Sequence, residues 1–271
     1  MSIFVRQDDV RRQNQFGVLM ALRRRGGLSR TDISAVTGLS ASTVTVITNR
    51  LMEQGALIAE GVGEVIGQRR GRPQVRLFPN PAHGTVAVIV LGLNTVQVTI
   101  ADYAGGVIGS LFERTPTKTM NAEALNSAVI STVARLLAKH GADIGPLLRI
   151  TVGVEGIVDA DASTLLSSPA TEASEIPLGS ALEKEFGVDV EVYNESNMIA
   201  EALHWKAPDR YGSDFAAVLL SVGVGMGLYL HGKLFSGVRS SAVEFGHMCY
   251  EPDGALCRCG RRGCIEAYAG G

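Results

Sequence analysis

All four cysteines of the chain lie in one stretch, EFGHMCYEPDGALCRCGRRGC (Glu244–Cys264): Cys249, Cys257, Cys259 and Cys264, with His247 just ahead of them. Cys257 and Cys259 flank only Arg258, and four residues separate Cys259 from Cys264. A Cys-x-Cys pair does not easily close an ordinary disulfide, but its two thiolates can face a single cation. Zinc takes four N or S donors in a tetrahedron, and five candidates are present, with His247 and Cys249 as rivals for the fourth position. The alternative is a set of free thiols or a redox pair. Gly260 and Gly263 would let the backbone wrap tightly round such a centre. Arg258, Arg261 and Arg262 would offset its negative charge and keep the thiols ionised. Four protein donors leave no open coordination position, so the metal would be structural.

The bulk composition suits a folded protein. The chain has 271 residues, 46% hydrophobic and 19% charged, enough apolar material for a core and room for two domains. No apolar leader segment and no run of about 18 apolar residues occurs, which argues against export and membrane spanning. A cytoplasmic location is expected, where clustered cysteines read as metal ligands before disulfides. The net charge of -2 is unevenly spread. Residues 1–80 carry twelve Arg and six acids, a balance of +6, while the remainder carries 13 bases and 21 acids, a balance of -8. A basic head on an acidic body points to a polyanionic partner for the head alone.

The pattern of the head specifies that partner further. RRQNQFGVLMALRRRGG predicts a helix with Phe16, Leu19, Met20 and Leu22 as its apolar residues and Gly26-Gly27 as its stop. Ser29 caps a second helix containing Ile33 and Val36, with Asp32 placed for a capping box. Gly38 allows a tight turn, and Ser40 caps a third helix that runs to about Gln54. Val44, Ile47 and Leu51 share a buried face there, leaving Ser42, Thr43, Thr45, Val46, Asn49 and Arg50 on the others. Small hydroxyl residues at a helix N-terminus suit phosphate contact and entry into a major groove. GALIAEGVGEVIGQRRGRPQVRLFP then predicts a two-stranded wing, with Arg69, Arg70 and Arg72 at its tip. Together these features describe a winged helix-turn-helix in which Ser40, Ser42, Thr43, Thr45, Asn49, Arg50, Arg69, Arg70 and Arg72 face operator DNA.

PNPAHG (Pro79–Gly84) marks the boundary, giving a DNA-binding domain over 1–80 and a second domain over 81–271. The second domain predicts three strands over 85–115, a helix from Asn121 to about His140, and a buried strand in LLRITVGVEGIVD. A helix near Leu178–Phe186, the strand VDVEVYN and the helix MIAEALHW follow. From Asp214 to Phe235 a strand, a glycine turn and another strand begin to repeat the opening pattern. The class is α/β.

VEFGHMCYEPDGALCRCGRRGCIEAYAGG resembles the signature of the ROK family (repressors, open reading frames and sugar kinases), in which ExGH precedes CxCGxxGCxE. Glu244, Gly246, His247, Cys257, Cys259, Gly260, Gly263, Cys264 and Glu266 all fall in place. The resemblance implies an actin-like, hexokinase-like (ribonuclease H-like) ATPase-type domain behind the winged helix. It favours His247 over Cys249, giving a zinc set of His247, Cys257, Cys259 and Cys264. It also implies that Glu244, His247 and Glu266 hydrogen-bond a sugar in the cleft, with Asn194 and Glu195 beside them. The kinases of the family open with DxGGT; here VLGLN places Val90, Leu93 and Asn94 at the Asp, second Gly and Thr. Their catalytic ND pair becomes Asn194-Glu195. A leucine where backbone must approach phosphate, and a displaced base, argue against catalysis. The family's regulators also run on for more than a hundred residues, so EAYAGG is expected to interrupt the second lobe and its dimer helices.

The expected function is a sugar-responsive transcriptional regulator of carbohydrate uptake or metabolism genes, most simply a repressor, binding operator DNA as a homodimer or higher homo-oligomer and a sugar or sugar phosphate in the cleft. An active sugar kinase with a DNA-binding head and a regulator controlled by a protein partner are the alternatives. Arg72→Ala should weaken DNA binding by a similar factor on all sequences and lower the salt slope by about one. Salt titrations of DNA affinity check this, and unchanged binding removes the wing from the interface.

Overall fold

The computed structural model describes residues 7–60, 75–141, 143–237 and 243–271. They divide into two compact units, one of residues 7–60, 75–86, 101–108 and 143–147, the other of the remaining described residues.

The smaller unit contains helices α1 (Gln7–Arg25), α2 (Arg30–Thr37) and α3 (Ala41–Glu53), and strands β1 (Leu57–Glu60) and β2 (Arg76–Pro79). Local chemistry sets the helix ends. The Asp32 amide donates to Ser29 Oγ at 3.2 Å and the Ser29 amide donates to Asp32 Oδ2 at 3.0 Å, a reciprocal cap that satisfies two terminal amides. Hydrogen bonds from Ser29 hold the Asp32 carboxyl below its usual range. Gly38 takes φ 70°, which a side chain would disfavour, and ends α2. Ser40 Oγ accepts from the Thr43 amide at 3.1 Å and starts α3.

Val18, Leu22, Ile33, Val44, Leu51, Leu57 and Leu77 form the buried core of this unit, with Tyr103 packed against it. Phe16 does not join them; it is 52% exposed. At about 100° per residue it lies on the side of α1 opposite Val18, so the apolar stripe is Val18, Ala21 and Leu22 instead. On α3 the expected face holds: Val44 and Leu51 are buried and Ile47 packs partly on the core, joined by the buried Thr48. β1 and β2 pair antiparallel from Leu57↔Pro79 to Glu60↔Arg76. Arg69, Arg70 and Arg72 lie outside the described residues.

The larger unit is built on a five-stranded sheet of order β5-β4-β3-β6-β9. Its strands are β3 (Thr85–Gly92), β4 (Thr95–Asp102), β5 (Val107–Arg114), β6 (Leu147–Val154) and β9 (Asp189–Asn194). Ala87, Ile89 and Leu91 of β3 and Val96, Val98 and Ile100 of β4 are buried at every second position, as a sheet with one covered face requires. Helix α4 (Ala122–His140) buries Leu125, Val129, Val133 and Leu136 along one stripe. β6 and β9 run parallel, with Val154 opposite Asn194. A short hairpin, β7 (Ile157–Val158) and β8 (Leu165–Ser167), and helix α5 (Leu178–Phe186) lie between them in the chain. The β8 strand had no signal in the sequence reading, since three residues cannot show a period.

Helix α6 (Glu195–Lys206) starts three residues earlier than MIAEALHW suggests, because the Asn194 side chain accepts from the Asn197 amide at 3.2 Å and caps it. β10 (Phe215–Leu220), β11 (Val224–Leu230) and β12 (Lys233–Leu234) make a second, antiparallel sheet. The expected hairpin is present, but Gly225 and Gly227 serve another purpose: a Cβ on either would collide with Ser196 of α6. Glycine there lets helix and strand approach closely. The chain closes on α7 (Glu266–Ala269). No helix among the described residues is long and apolar enough to cross a membrane.

Candidate metal centre and adjoining cleft

The cysteine loop folds on its own backbone before any side chain is considered. The Cys257 amide donates to the Arg261 carbonyl at 2.8 Å and the Gly260 amide to the Cys257 carbonyl at 2.9 Å, turning the chain back on itself. Gly260 (φ 85°) and Gly263 (φ 76°) occupy left-handed backbone, and a Cβ on Gly263 would run into the Glu251 carbonyl. The Ile265 amide reaches the Met248 carbonyl at 3.0 Å, which brings the FGH turn against the end of the loop.

The result is a group of four donors. His247, Cys257, Cys259 and Cys264 each present one ligand atom, all within 4.8 Å of one another, and could hold a metal ion. Cys257 Sγ lies 3.7 Å from His247 Nδ1, and Cys259 Sγ 3.7 Å from Cys264 Sγ. These separations suit the edges of a tetrahedron with metal–sulfur arms of ~2.3 Å, which are ~3.8 Å long, and not a disulfide of ~2.0 Å. Cys249, the rival candidate, is exposed and stands outside the group. Hydrogen bonding from the Arg261 backbone pulls the Cys259 thiol down to about 6. Burial, followed by the neighbouring thiols, pushes Cys264 up to about 11.

The three arginines of the loop divide their work differently from the charge-offset role read from the sequence. The Arg261 side chain does face Cys259. Arg262 Nη1 donates to the Gly254 carbonyl at 3.2 Å. Arg258 spends its hydrogen bonds on other partners: Nε donates to Glu266 Oε1 at 2.8 Å, Nη2 to the Val222 carbonyl at 2.8 Å, and Glu155 Oε1 stands 3.8 Å off. Glu266 Oε2 accepts from the Val224 amide at 3.0 Å. Burial opposes the Glu266 charge, but the Arg258 and Val224 hydrogen bonds together hold its carboxyl below the usual range.

Beside this loop, within the larger unit, lies a cleft of about 640 Å³. It opens where β3, β6 and β9 end: Leu93 and Asn94 follow β3, Glu155 follows β6, Asn194 closes β9 and Glu195 follows it. Carboxyl ends of strands are where open α/β sheets place their ligands. Glu244, His247, Arg258 and Glu266 line the same cleft. His247 therefore belongs to both sites, with Nδ1 toward Cys257 and Nε2 3.9 Å from Glu244 Oε2.

All five residues expected around a sugar thus line one cleft. Their freedom differs. Asn194 is committed at both ends of its amide, accepting from the Asn197 amide and donating to the Gly156 carbonyl at 2.9 Å. Burial pushes the Glu195 carboxyl above its usual range. Burial does the same to Glu155, opposed by Arg258 and reinforced by Glu195 and Glu266. Glu155 and Arg258 were missed as cleft residues; a carboxylate directly after a buried strand, in VGVEG, was the available signal for the first.

On α3, Ser42, Thr45, Asn49 and Arg50 are exposed and Thr43 is half-buried. Ser40, exposed at the helix start, shares its hydroxyl with Ser42 Oγ at 2.9 Å and Thr43 Oγ1 at 2.8 Å.

Residues 87–271 match the ROK family, and residues 8–64 match the MarR family. The chain belongs to the ROK family. It is similar to the xylose repressor of Caldicellulosiruptor bescii, 28% identical over 258 residues, covering 94% of this chain and 63% of that protein. It is similar also to the transcriptional dual regulator NagC of Escherichia coli, 26% identical over 262 residues, covering 97% of this chain and 63% of NagC. The chain therefore spans somewhat under two thirds of these relatives' length. A ROK family transcriptional regulator described as a homolog of E. coli MLC superposes with a TM-score of 0.78 at 23% identity, over 96% of this chain and 65% of that one. A ROK family glucokinase from Streptomyces griseus, in complex with glucose and AMPPNP, superposes with a TM-score of 0.58 at 26% identity, over 69% and 57%. A winged helix-turn-helix is thus followed along the chain by an actin-like ROK fold.

The shifted carboxyl of Glu195 makes a prediction about stability. Its folded-state pKa is raised, so its contribution to stability is present below the ordinary carboxyl range and is lost as pH rises through the raised value. Glu195→Gln should therefore raise the thermal midpoint at pH 8 and leave it near that of the parent at pH 4. A lowered midpoint at pH 8 would mean that a partner stabilises the charge.

Proposed function

We propose that this chain is a sugar-responsive transcriptional repressor. Its winged helix binds operator DNA through α3 and the Arg69–Arg72 wing, as a homodimer on a palindromic site. A sugar or sugar phosphate occupies the cleft, where Glu195, Glu244 and Glu266 accept from hydroxyls, as carboxylates do in pairs. The single observation that carries this reading is His247, which belongs to the metal group and to the cleft at once. Relatives named xylose repressor and NagC, which align along 94% and 97% of this chain, support it.

Zinc is the metal that three thiolates and an imidazole suit best, and His247, Cys257, Cys259 and Cys264 would hold it. Bound there, it supplies a cross-link rather than a Lewis acid, because four protein donors leave no open position. The chain's own part is to orient His247: Nδ1 faces Cys257, leaving Nε2 on the Glu244 side.

The likeness to a glucokinase favours a second reading, an active kinase. Three features weigh against it. Val90 replaces a carboxylate, Leu93 projects at the cleft wall, and the Asn94 amide is already spent on Thr117 Oγ1 at 2.8 Å. A phosphate-binding turn needs free backbone amides at that place.

The test is DNA affinity, measured by fluorescence anisotropy on DNA from upstream of its own gene, across monosaccharides and their phosphates. One of them should weaken binding roughly 5- to 150-fold, the ordinary range of allosteric coupling, without consuming ATP. Affinity unmoved by every sugar contradicts the reading, and ATP-dependent phosphorylation replaces it with the kinase.

A further inference from the structure

Arg30 opens α2, yet its side chain belongs to α3. Nε donates to Thr48 Oγ1 at 3.0 Å and Nη2 donates to Asn49 Oδ1 at 2.8 Å, with Met52 Sδ 3.7 Å from the same Nη2. Thr48 is buried and uses its own hydrogen on the Thr45 carbonyl at 3.3 Å, so its oxygen is the acceptor that Arg30 needs. Asn49 is exposed, one turn from the helix end, on the face expected to meet DNA.

The chemistry of the pair settles which way the Asn49 amide points. A guanidinium only donates, so the atom of Asn49 that meets it must be the oxygen. The amide NH2 is the group left for the outward side. An asparagine that reads adenine uses its oxygen and its nitrogen together, on N6 and N7. Arg30 uses one of the oxygen's two lone pairs and turns the oxygen toward itself, so Asn49 presents its NH2 to the groove, and the base edge with two adjacent acceptors there is guanine's O6 and N7.

We propose that Arg30 is a specificity-determining positioning residue: by holding the Asn49 oxygen inward, it makes the base opposite Asn49 a guanine rather than an adenine. The inference rests on the reading of α3 as the helix that enters the groove.

The experiment selects binding sites for the whole 271-residue chain from a pool of random double-stranded DNA. The position read by Asn49 is the one whose preference Asn49→Ala erases. The parent chain should prefer guanine there. Arg30→Met should cut the guanine-over-adenine preference at that position by roughly 5- to 100-fold, the worth of a bidentate base contact. Its salt slope and its affinity for unrelated DNA should stay as in the parent. Thr48 keeps its Thr45 bond in this variant, so the head should still fold, which a circular dichroism melt checks. Asn49→Asp, which keeps a carboxylate oxygen for Arg30, should turn the preference toward cytosine, whose N4 donates. That variant decides the matter if Arg30→Met does not fold.

Adenine at the Asn49 position, or a guanine preference that neither variant moves, overturns the inference while leaving the DNA-binding reading intact. A uniform loss on all sequences with the salt slope reduced by about one makes Arg30 a phosphate contact and overturns it too. A parent chain that enriches no sequence from the pool removes both this inference and the reading beneath it.

Discussion

The Glu266 carboxylate is the constraint on which the candidate site depends. Its side chain is only 9% exposed, and an ionised carboxylate at that depth needs partners for both oxygens. It has them: Arg258 from inside the metal loop and the Val224 amide from the first residue of β11. Arg258 also reaches the Val222 carbonyl in the β10–β11 turn. Two side chains therefore tie the loop, the hairpin and α7 into one wall, and that wall is one side of the cleft. Removing either partner would leave the other charged group poorly compensated, which costs more than the lost bond itself.

The metal group and this clamp meet at Glu266: Cys257 Sγ lies 3.7 Å and His247 Nδ1 4.0 Å from the same Oε1 that Arg258 holds. Cys257 and Cys259 join the metal group, while Arg258 between them reaches Glu266 and the Val222 carbonyl. Hydrogen bonding from the Arg261 backbone lowers the Cys259 thiol, while burial raises that of Cys264. A cation among the four donors would hold the loop that carries Arg258. In the same cleft, Glu155 and Glu195 are held partly against their preference for water. A wall of under-solvated carboxylates is a cost to stability that a ligand rich in hydroxyl donors would offset.

What was legible in the sequence was whatever short-range chemistry determines. The Ser29–Asp32 box, the Gly38 stop, the Ser40 cap and the Cys-x-Cys-Gly loop each depend on residues a few positions apart, and each stands where the spacing puts it. The strands of the larger unit were legible too, through the alternation of Val96, Val98 and Ile100. Partners distant in sequence were not. Three arginines in the loop look alike in the sequence, and only the fold shows that Arg258 alone meets Glu266 and Glu155. Arg30 and Asn49 stand 19 positions apart on different helices. Gly225 and Gly227 read as hairpin glycines because nothing local announces that α6 packs on them. Phe16 is apolar but exposed, because its angular position on α1, opposite Val18, outweighs its hydrophobicity.

His247, Cys257, Cys259 and Cys264 are proposed to hold one zinc ion and so to fix a side of the cleft. X-ray absorption at the zinc edge, on protein purified without added metal, reads that coordination shell. One zinc per chain is expected, with three sulfurs at ~2.3 Å and one nitrogen at ~2.0 Å. A shell of oxygens, four sulfurs including Cys249, or a folded chain that carries no zinc would rule the site out.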